Sequence, residues 1–335
     1  MVQNISPYEY ILIDIANQFG LDKLTWNERI KWTQSNLPYL EDLIDEAKKP
    51  FLYAKAINAL KTIRKGLQTN HLVGLDASAS GLSIMGMLIG CRKTLEQTNL
   101  IYTGKVQDPY TNVTSTMQEL LGSEFHVSRE DSKSALMTIG YGSKMQPILI
   151  YGEDTPELAA FYKTRKLLVP GTIEVSDDLR SLWNSNSGVY QWTLPDGHTA
   201  RVITEDQELT NLRIQEVYGI GTGFTYSYTK RGICTIYNTP IIANTVQSLD
   251  GWIAREMVRR CYRSGFHILT VHDAFYCHPN NVHEMRRHYR EICSRLTKLP
   301  VMESIGQELL GYEIEYQKYE LGLEDLILES EYAIS

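Results

Sequence analysis

Between residues 8 and 48 the apolar positions recur every three or four residues, which predicts helix rather than strand. Thr25 followed by Glu28 is a capping-box signature inside that stretch, and Leu37-Pro38 opens a further helix. The pattern then changes. An apolar run at 71–76 predicts a strand, and the small residues after it lead into a helix at 81–91. Asp108-Pro109 starts a helix that runs through Leu121, and Ser128 starts another over 128–141, with Asp131 closing a capping box. From about 148 to 240 the pattern is mixed and strand-rich, including a strand at 197–202. The stretch 217–237 alternates Tyr, Thr and Ile around Gly219, Gly221 and Gly223 and predicts a β-hairpin. Helices at 244–263 and 281–297 bracket a second, shorter hairpin whose tip is His272-Asp273. No internal repeat, low-complexity tract or long linker interrupts this order.

Composition narrows the class. A chain of 335 residues, 43% of them hydrophobic, can bury a substantial core as one large domain or two to three smaller ones. Five cysteines (Cys91, Cys234, Cys261, Cys277, Cys293) are odd in number and show no CxxC spacing, so neither a disulfide framework nor a zinc site is predicted. No run of about 18 apolar residues exists, and the first residues carry neither a basic nor an apolar leader region, so the expectation is a protein outside the membrane and not secreted. The net charge of −7 opposes binding to nucleic acid unless positive charge is gathered on one face or supplied by another chain.

The charge is indeed gathered. On helix 128–141 the residues Arg129, Lys133, Met137 and Tyr141 recur every four positions and form one slowly rotating stripe. Arg129 and Lys133 would meet an anion while Tyr141 meets something flat at the far end, the shape of a nucleoside triphosphate site. On either side in sequence, an apolar strand ends on a carboxylate: Asp76 after 71–75, and Asp273 at the hairpin tip. A carboxylate at the end of a buried strand must be solvated, paired or bound to metal, because burying it bare is costly. A single Asp of this kind is an ordinary turn former, but two flanking a cationic helix form a constellation.

Taken together, these segments resemble the single-subunit, bacteriophage-type DNA-dependent RNA polymerases, which share their palm and fingers with the DNA polymerase I family. Asp76-x4-Gly81 is similar to motif A, Arg129-x3-Lys133-x3-Met137-Thr138-x2-Tyr141-Gly142 to motif B, and His272-Asp273 to motif C. Further landmarks stand in family order: Phe19-Gly-Leu-Asp-Lys23, Glu28-Arg-Ile-Lys31, Val106-Gln-Asp108-Pro-Tyr110, Pro195-Asp-Gly197 and the last ten residues ending Glu331-Tyr-Ala-Ile334-Ser335. The resemblance implies an α+β fold. Its discontinuous palm would be built from 1–98 and 241–335, its fingers from 99–240 with a hairpin near 217–237.

The same resemblance implies DNA-templated RNA synthesis from ribonucleoside triphosphates by two-metal-ion catalysis. Asp76 and Asp273 would hold two Mg2+ ions, the carbonyl of Ala77 adding a ligand to one of them. Lys133 would act in catalysis and, with Arg129, bind the triphosphate, while Met137, Tyr141, Gly142 and Tyr110 would line the nucleotide site. Gly81 stands where the related DNA polymerases carry a glutamate that blocks a 2′-hydroxyl, so the site would admit ribose, with the Tyr141 phenol helping to recognise it. Gln247 stands where the phage enzymes usually have a histidine that touches the minor groove. With His272, whose imidazole hard magnesium disfavours, it is expected to contact nucleic acid.

The family's usual thumb and N-terminal domain have no counterpart here. The expectation is therefore the catalytic half of a split, heterodimeric phage polymerase, at work in the cytoplasm of an infected bacterium. A second subunit would supply the missing parts, and DNA template, RNA transcript and a single-stranded-DNA-binding activator would be its further partners. Two rival readings are a primase or DNA polymerase on the same palm and a non-catalytic nucleic-acid-binding subunit. Gly81 and Ala274 count against the first, and the retention of Asp76, Asp273 and Lys133 against the second.

Overall fold

The computed structural model describes residues 2–183, 189–203, 205–215, 223–233 and 239–335. The chain opens on helix Pro7–Phe19, started by a reciprocal capping box between Ser6 and Glu9 and stopped at Gly20, whose φ of +118° suits glycine. Helix Trp26–Ser35 follows, with the predicted Thr25–Glu28 capping box fully formed. The helix expected from Leu37-Pro38 does not form. Residues 37–48 are instead wound into successive turns whose amides bond three residues back, as Asp42 to Tyr39 and Ala47 to Ile44. Such tight winding buries Leu40 and Ala47 without a continuous α-helical ladder. Lys48 and Lys49 then bond through their amides to the carbonyls of Phe19 and Gln18, so both lysines are held at the end of the first helix. Helix Pro50–Arg64 completes this layer.

A three-stranded antiparallel sheet lies at the centre, with Ala274–Cys277 flanked by Val73–Asp76 on one side and Leu269–Val271 on the other. The register pairs Asp76 with Ala274 and Leu75 with Phe275. Val73, Leu75, Phe275 and Cys277 are buried on one face, and Asp76, Ala274 and Tyr276 lie on the other by the alternation of strand side chains. Gly74 is needed there, because a Cβ at that position would stand 2.2 Å from the Tyr276 ring.

The main core joins the N-terminal helices and this sheet to helix Ser80–Ile89 and to the long helices Thr239–Arg263 and Val282–Lys298. A smaller core, built around Val113, Met117, Leu136 and Phe161, unites helices Pro109–Leu121, Arg129–Gly140 and Pro156–Leu168. The strand-rich expectation for 148 onward is corrected. Helices Met145–Tyr151, Pro156–Leu168 and Gly171–Ser181 occupy it, the second capped by Thr155 with Pro156 in its first turn. Strands begin only at Val189–Thr193, paired with Thr199–Ile203. At the turn between them Asp196 accepts hydrogen bonds from Arg255 Nε (2.7 Å) and Arg259 Nη1 (3.0 Å), which fastens this hairpin to the long helix. The hydrogen bond from Arg255 holds the Asp196 carboxyl well below the usual carboxylate range.

The second expected hairpin is shifted. Its arms are Glu205–Ile214 and Phe224–Ile233, so 217–237 contributes one arm rather than two, and residues 216–222 and 234–238 lie outside the described residues. Four cysteines, Cys91, Cys261, Cys277 and Cys293, are buried free thiols, and Cys234 lies outside the described residues. Among the described residues no helix is long and apolar enough to cross a membrane.

Candidate active site

The sheet brings the two strand-end carboxylates together. Asp76 ends its strand opposite Ala274, and Asp273 immediately precedes Ala274 at the hairpin tip. The amide of Ala77 donates to the carbonyl of Asp273 across 3.3 Å, so the two turns are tied through the backbone. Both turns contain a residue in the left-handed region, Ala79 (φ +54°) and His272 (φ +55°). Each such conformation costs on the order of 1–3 kcal/mol for a non-glycine residue and persists only where its surroundings impose it.

A cleft of about 940 Å³ opens over this end of the sheet. Asp76, Ala77, Gly81, Tyr110, Arg129, Lys133, Met137, Tyr141, Gln247, His272 and Asp273, all singled out in the sequence, line it. Gly142 does not. It turns the chain out of the helix with a φ of +94°, its amide donating to Ile139.

Helix Arg129–Gly140 presents its cationic end to the cleft. Ser128 caps it by accepting from the Asp131 amide at 3.2 Å, which is the forward half of the expected box. Asp108, the cap of helix Pro109–Leu121, accepts from Arg129 Nε (3.0 Å) and Nη2 (2.6 Å). Burial pushes the Asp108 carboxyl up, but the bonds from Arg129 and Thr111 outweigh it and hold the group below its ordinary range. The Tyr110 ring lies under both cations, 5.8 Å from the Arg129 guanidinium and 5.8 Å from the Lys133 ammonium. Among the described residues Lys133 has no ion-pair partner, so its charge is available to a bound anion.

Opposite stands a carboxylate group larger than the sequence suggested. Asp250 lies one helical turn after Gln247, and with Gly251 and Ala254 these residues form one face of helix Thr239–Arg263 along the cleft. Burial, then the charge of Asp273, raises Asp250 to about 6 although Ser80 hydrogen-bonds it. Asp76 is likewise raised to about 6, by the protein wall around it and then by Asp273, while Lys23 and Lys49 pull it down. Its side chain nonetheless faces cleft solvent. Asp250, Lys23, Lys48 and Lys49 are the cleft residues that sequence reasoning missed. The spacing of three from Gln247 could have found Asp250, and Lys23 ends one of the quoted landmarks.

Gly81 has a more specific reason than open space. A methyl group there would stand 3.0 Å from Tyr141 Oη and 3.2 Å from Cζ, so the phenol packs on the glycine itself.

The C-terminal segment closes one edge of the sheet. Ser335 exchanges backbone hydrogen bonds with Asp76 at 3.0 and 3.3 Å, and Ile334 bridges to Ala77. Behind it, Tyr332 stacks on Trp26 (5.0 Å) and accepts from the Trp26 amide. Arg286, 1% exposed, donates to Tyr10 Oη, to the Glu331 carbonyl and to the Glu331 carboxylate at 2.7–2.9 Å. Asn99 ties the same region together, donating to Ser78 Oγ and to the Gln107 carbonyl while its own carbonyl accepts from Ser330.

This chain matches the family profile for DNA-dependent RNA polymerase over residues 4–146 and 238–325, well over half its length. It belongs to that family. A probable DNA-directed RNA polymerase of Agaricus bitorquis is 27% identical over 206 residues, covering 52% of this chain and 18% of the relative. The mitochondrial DNA-directed RNA polymerase 1 of Arabidopsis thaliana is 21% identical over 359 positions, covering 90% of this chain and 36% of the relative. The chloroplastic/mitochondrial polymerase 2B of Nicotiana tabacum is 22% identical, covering 90% and 34%. The chain thus spans about a third, or less, of the length of the relatives it matches.

Among the described residues no group of three or more His, Cys, Asp or Glu converges as an all-protein metal cage would. The donor set still suits magnesium, which takes one or two carboxylates and completes its shell with water and substrate phosphates. The crowded charge of Asp76, Asp250 and Asp273 is what a divalent cation would neutralise.

Proposed function

We propose that this chain is the catalytic part of a DNA-templated RNA polymerase, with 1–98 and 241–335 as palm and 99–240 as fingers. The observation that carries the reading is the pair Asp76 and Asp273, juxtaposed at one end of the sheet and facing Arg129 and Lys133 across a single cleft. In the reaction the RNA 3′-hydroxyl oxygen bonds to the α-phosphorus of a ribonucleoside triphosphate and gives its proton to water in the cleft. The α–β phosphoanhydride bond breaks, and pyrophosphate leaves. Two Mg2+ ions held by Asp76 and Asp273, with the Ala77 carbonyl, would stabilise the attacking and leaving oxygens.

The chain's own residues supply the rest. Lys133 meets the triphosphate as a compact charge, and Arg129, oriented by Asp108 and by the Tyr110 ring, as a two-pronged donor. Tyr141, seated on Gly81, presents its hydroxyl where the sugar lies, and this contact favours ribose over the DNA polymerase alternative. Gln247 and His272 line the template side, His272 as the strained residue that sets the direction of Asp273. DNA template, RNA transcript and a second subunit supplying thumb and N-terminal domain complete the proposal. Primer extension by the purified chain, alone and with candidate partners, tests it with ribonucleotides against deoxyribonucleotides. Ribonucleotide addition that is lost in both Asp76→Asn and Asp273→Asn is expected; addition that survives either change refutes the assignment.

A further inference from the structure

We propose that Asn99 is a positioning residue for nucleotide addition: its side chain fixes the turn after Asp76 against the segment that carries Asp108 and orients Arg129. The inference rests on the polymerase reading and deepens it, by naming what holds the two sides of the cleft in line.

Asn99 follows helix Arg92–Gln97 and turns the chain in the left-handed region, at φ +60°. The turn by itself asks only for glycine or asparagine. The Asn99 side chain does more, because it is 1% exposed and uses both polar atoms on two other segments. Its Oδ1 accepts from the Gln107 amide at 2.7 Å, and its Nδ2 donates to the Gln107 carbonyl at 2.9 Å. It therefore grips the main chain of Gln107 as a paired strand would. The same Nδ2 also donates to Ser78 Oγ at 3.1 Å.

The two segments so joined are those on which the proposed chemistry depends. Ser78 lies two residues after Asp76 and next to the left-handed Ala79, in the turn that leads to Gly81. Gln107 immediately precedes Asp108, which caps helix Pro109–Leu121 and accepts from Arg129 Nε and Nη2. Asn99 thus stands midway on a short bonded path from Asp76 to Arg129. Its own carbonyl accepts from Ser330 Oγ at 2.6 Å, in the tail whose Ser335 pairs with Asp76.

In-line transfer needs the α-phosphorus, gripped through the triphosphate by Arg129 and Lys133, to sit opposite an attacking oxygen held beside Asp76 and Asp273. A misplacement of about 1 Å at a reacting centre can cost about a hundredfold in rate. The packing of Tyr141 on Gly81 joins the two sides at one point. Asn99 joins them at a second, through directional bonds that the protein keeps dry.

Asn99→Gly is the direct test, because glycine keeps the left-handed turn and removes the side chain alone. Ser78→Ala cuts one link at a partly exposed position and leaves the Gln107 clasp in place. Single-turnover primer extension with ribonucleotides, by the full chain alone or with candidate partners, reads a rate constant that does not depend on how much of the protein is folded. The expected result is a rate slower by about tenfold or more in Asn99→Gly, with the apparent nucleotide Kd within about threefold, since Arg129 and Lys133 still hold the triphosphate. Ser78→Ala should be roughly fivefold slower, as the loss of one neutral hydrogen bond implies. Asp108→Asn frees Arg129 by itself, so adding Asn99→Gly to it should slow the reaction by no more than about twofold further, whereas independent sites would multiply their effects. A wild-type rate in Asn99→Gly or in Ser78→Ala, or multiplied effects in the double variant, overturns the proposal. If urea unfolding shows that Asn99→Gly does not fold, Ser78→Ala decides. A wild-type chain that adds no ribonucleotide refutes the polymerase reading and this inference with it, while normal addition by wild type and Asn99→Gly alike refutes the inference alone.

Discussion

Replacing Glu331 by Gln probes how the C-terminal segment is held against strand Val73–Asp76. The Glu331 carboxylate accepts from Arg286 through one oxygen (2.8 Å) and from the Gln3 amide through the other (2.7 Å). Glutamine keeps the shape, but its NH2 must face one of these donors, so at least one bond is lost. The Arg286 guanidinium, 1% exposed, is then left without its counter-charge. A hydrogen bond to a charged group contributes about 1.5–3 kcal/mol, and breaking a buried ion pair costs about 3–5 kcal/mol. The Tyr10 hydroxyl and the Glu331 carbonyl remain as acceptors and moderate the loss. The net expectation is roughly 3 kcal/mol, on the order of a 1 M fall in urea midpoint. Urea unfolding followed by tryptophan fluorescence measures it, since Trp26 packs against both Arg286 and Tyr332. Glu329→Gln, at an exposed position, is the control and should stay within about 0.5 kcal/mol of wild type. Arg286→Met combined with Glu331→Leu should recover much of the loss, because an apolar pair leaves no stranded charge. A Glu331→Gln protein as stable as the Glu329→Gln control would refute the clamp.

Other expectations follow from the same geometry. Asp76→Asn and Asp273→Asn should each remove several orders of magnitude of turnover, read by primer extension, while thermal unfolding shows the chain still folded, since each change relieves crowded negative charge. Tyr141→Phe keeps the packing on Gly81 but loses the hydroxyl. The ratio of kcat/KM for ribonucleotides over deoxyribonucleotides should fall several-fold, as roughly 0.5–1.5 kcal/mol for one hydrogen bond implies, and an unchanged ratio argues against the sugar role. Asp196→Asn should cost about 1 kcal/mol at neutral pH, because its arginine partners are partly exposed. The Asp196 carboxyl is depressed in the folded chain, so its contribution is present above the unfolded value near 4 and is lost as pH falls through the folded value. The gap between variant and wild type in melting temperature should therefore close in acid, and a gap that widens would contradict the assignment.

Helices with a strong start signal were legible in the sequence. Thr25, Asp108 and Ser128 all cap where their spacing says they should, and a strand ending on Asp76 and a hairpin turning at His272-Asp273 form where the apolar runs predict them, although their pairing with each other was not legible. Residues 37–48 misled because their apolar period is shared by α-helix and by a train of tighter turns, and only tertiary bonds to Phe19 and Gln18 select the latter. The helices from Met145 to Ser181 were missed because β-branched and aromatic content outweighed the Thr155-Pro156 start signal. In the second hairpin the stretch 217–237 holds only the second arm, Phe224–Ile233, because the first arm, Glu205–Ile214, is mostly polar and offers no apolar alternation to read. At the site, single residues with a fixed motif spacing were readable. Asp250 was within reach through its spacing of three from Gln247, but the lysines at 48 and 49 were not, since folding alone brings them to the cleft.

The pairing of Val73–Asp76 with Ala274–Cys277 also sets a timetable for the protein's birth. The first strand leaves the ribosome about 200 residues before its partner, a wait of about 10–40 s at about 5–20 residues per second. Throughout that wait Val73 and Leu75 lack the neighbours that later bury them. What can form early is local: helix Pro7–Phe19 against Pro50–Arg64, with Asp14 reaching His71 across 2.7 Å to hold the base of the waiting strand. Closing so long a loop is slow and entropically costly, so nascent chains should depend on chaperones until residue 277 has emerged. The meeting of Asp76 with the Asp273 turn is then among the last features this polypeptide acquires, and a ribosome stalled before Asp273 leaves behind a chain in which Asp76 has no second carboxylate beside it.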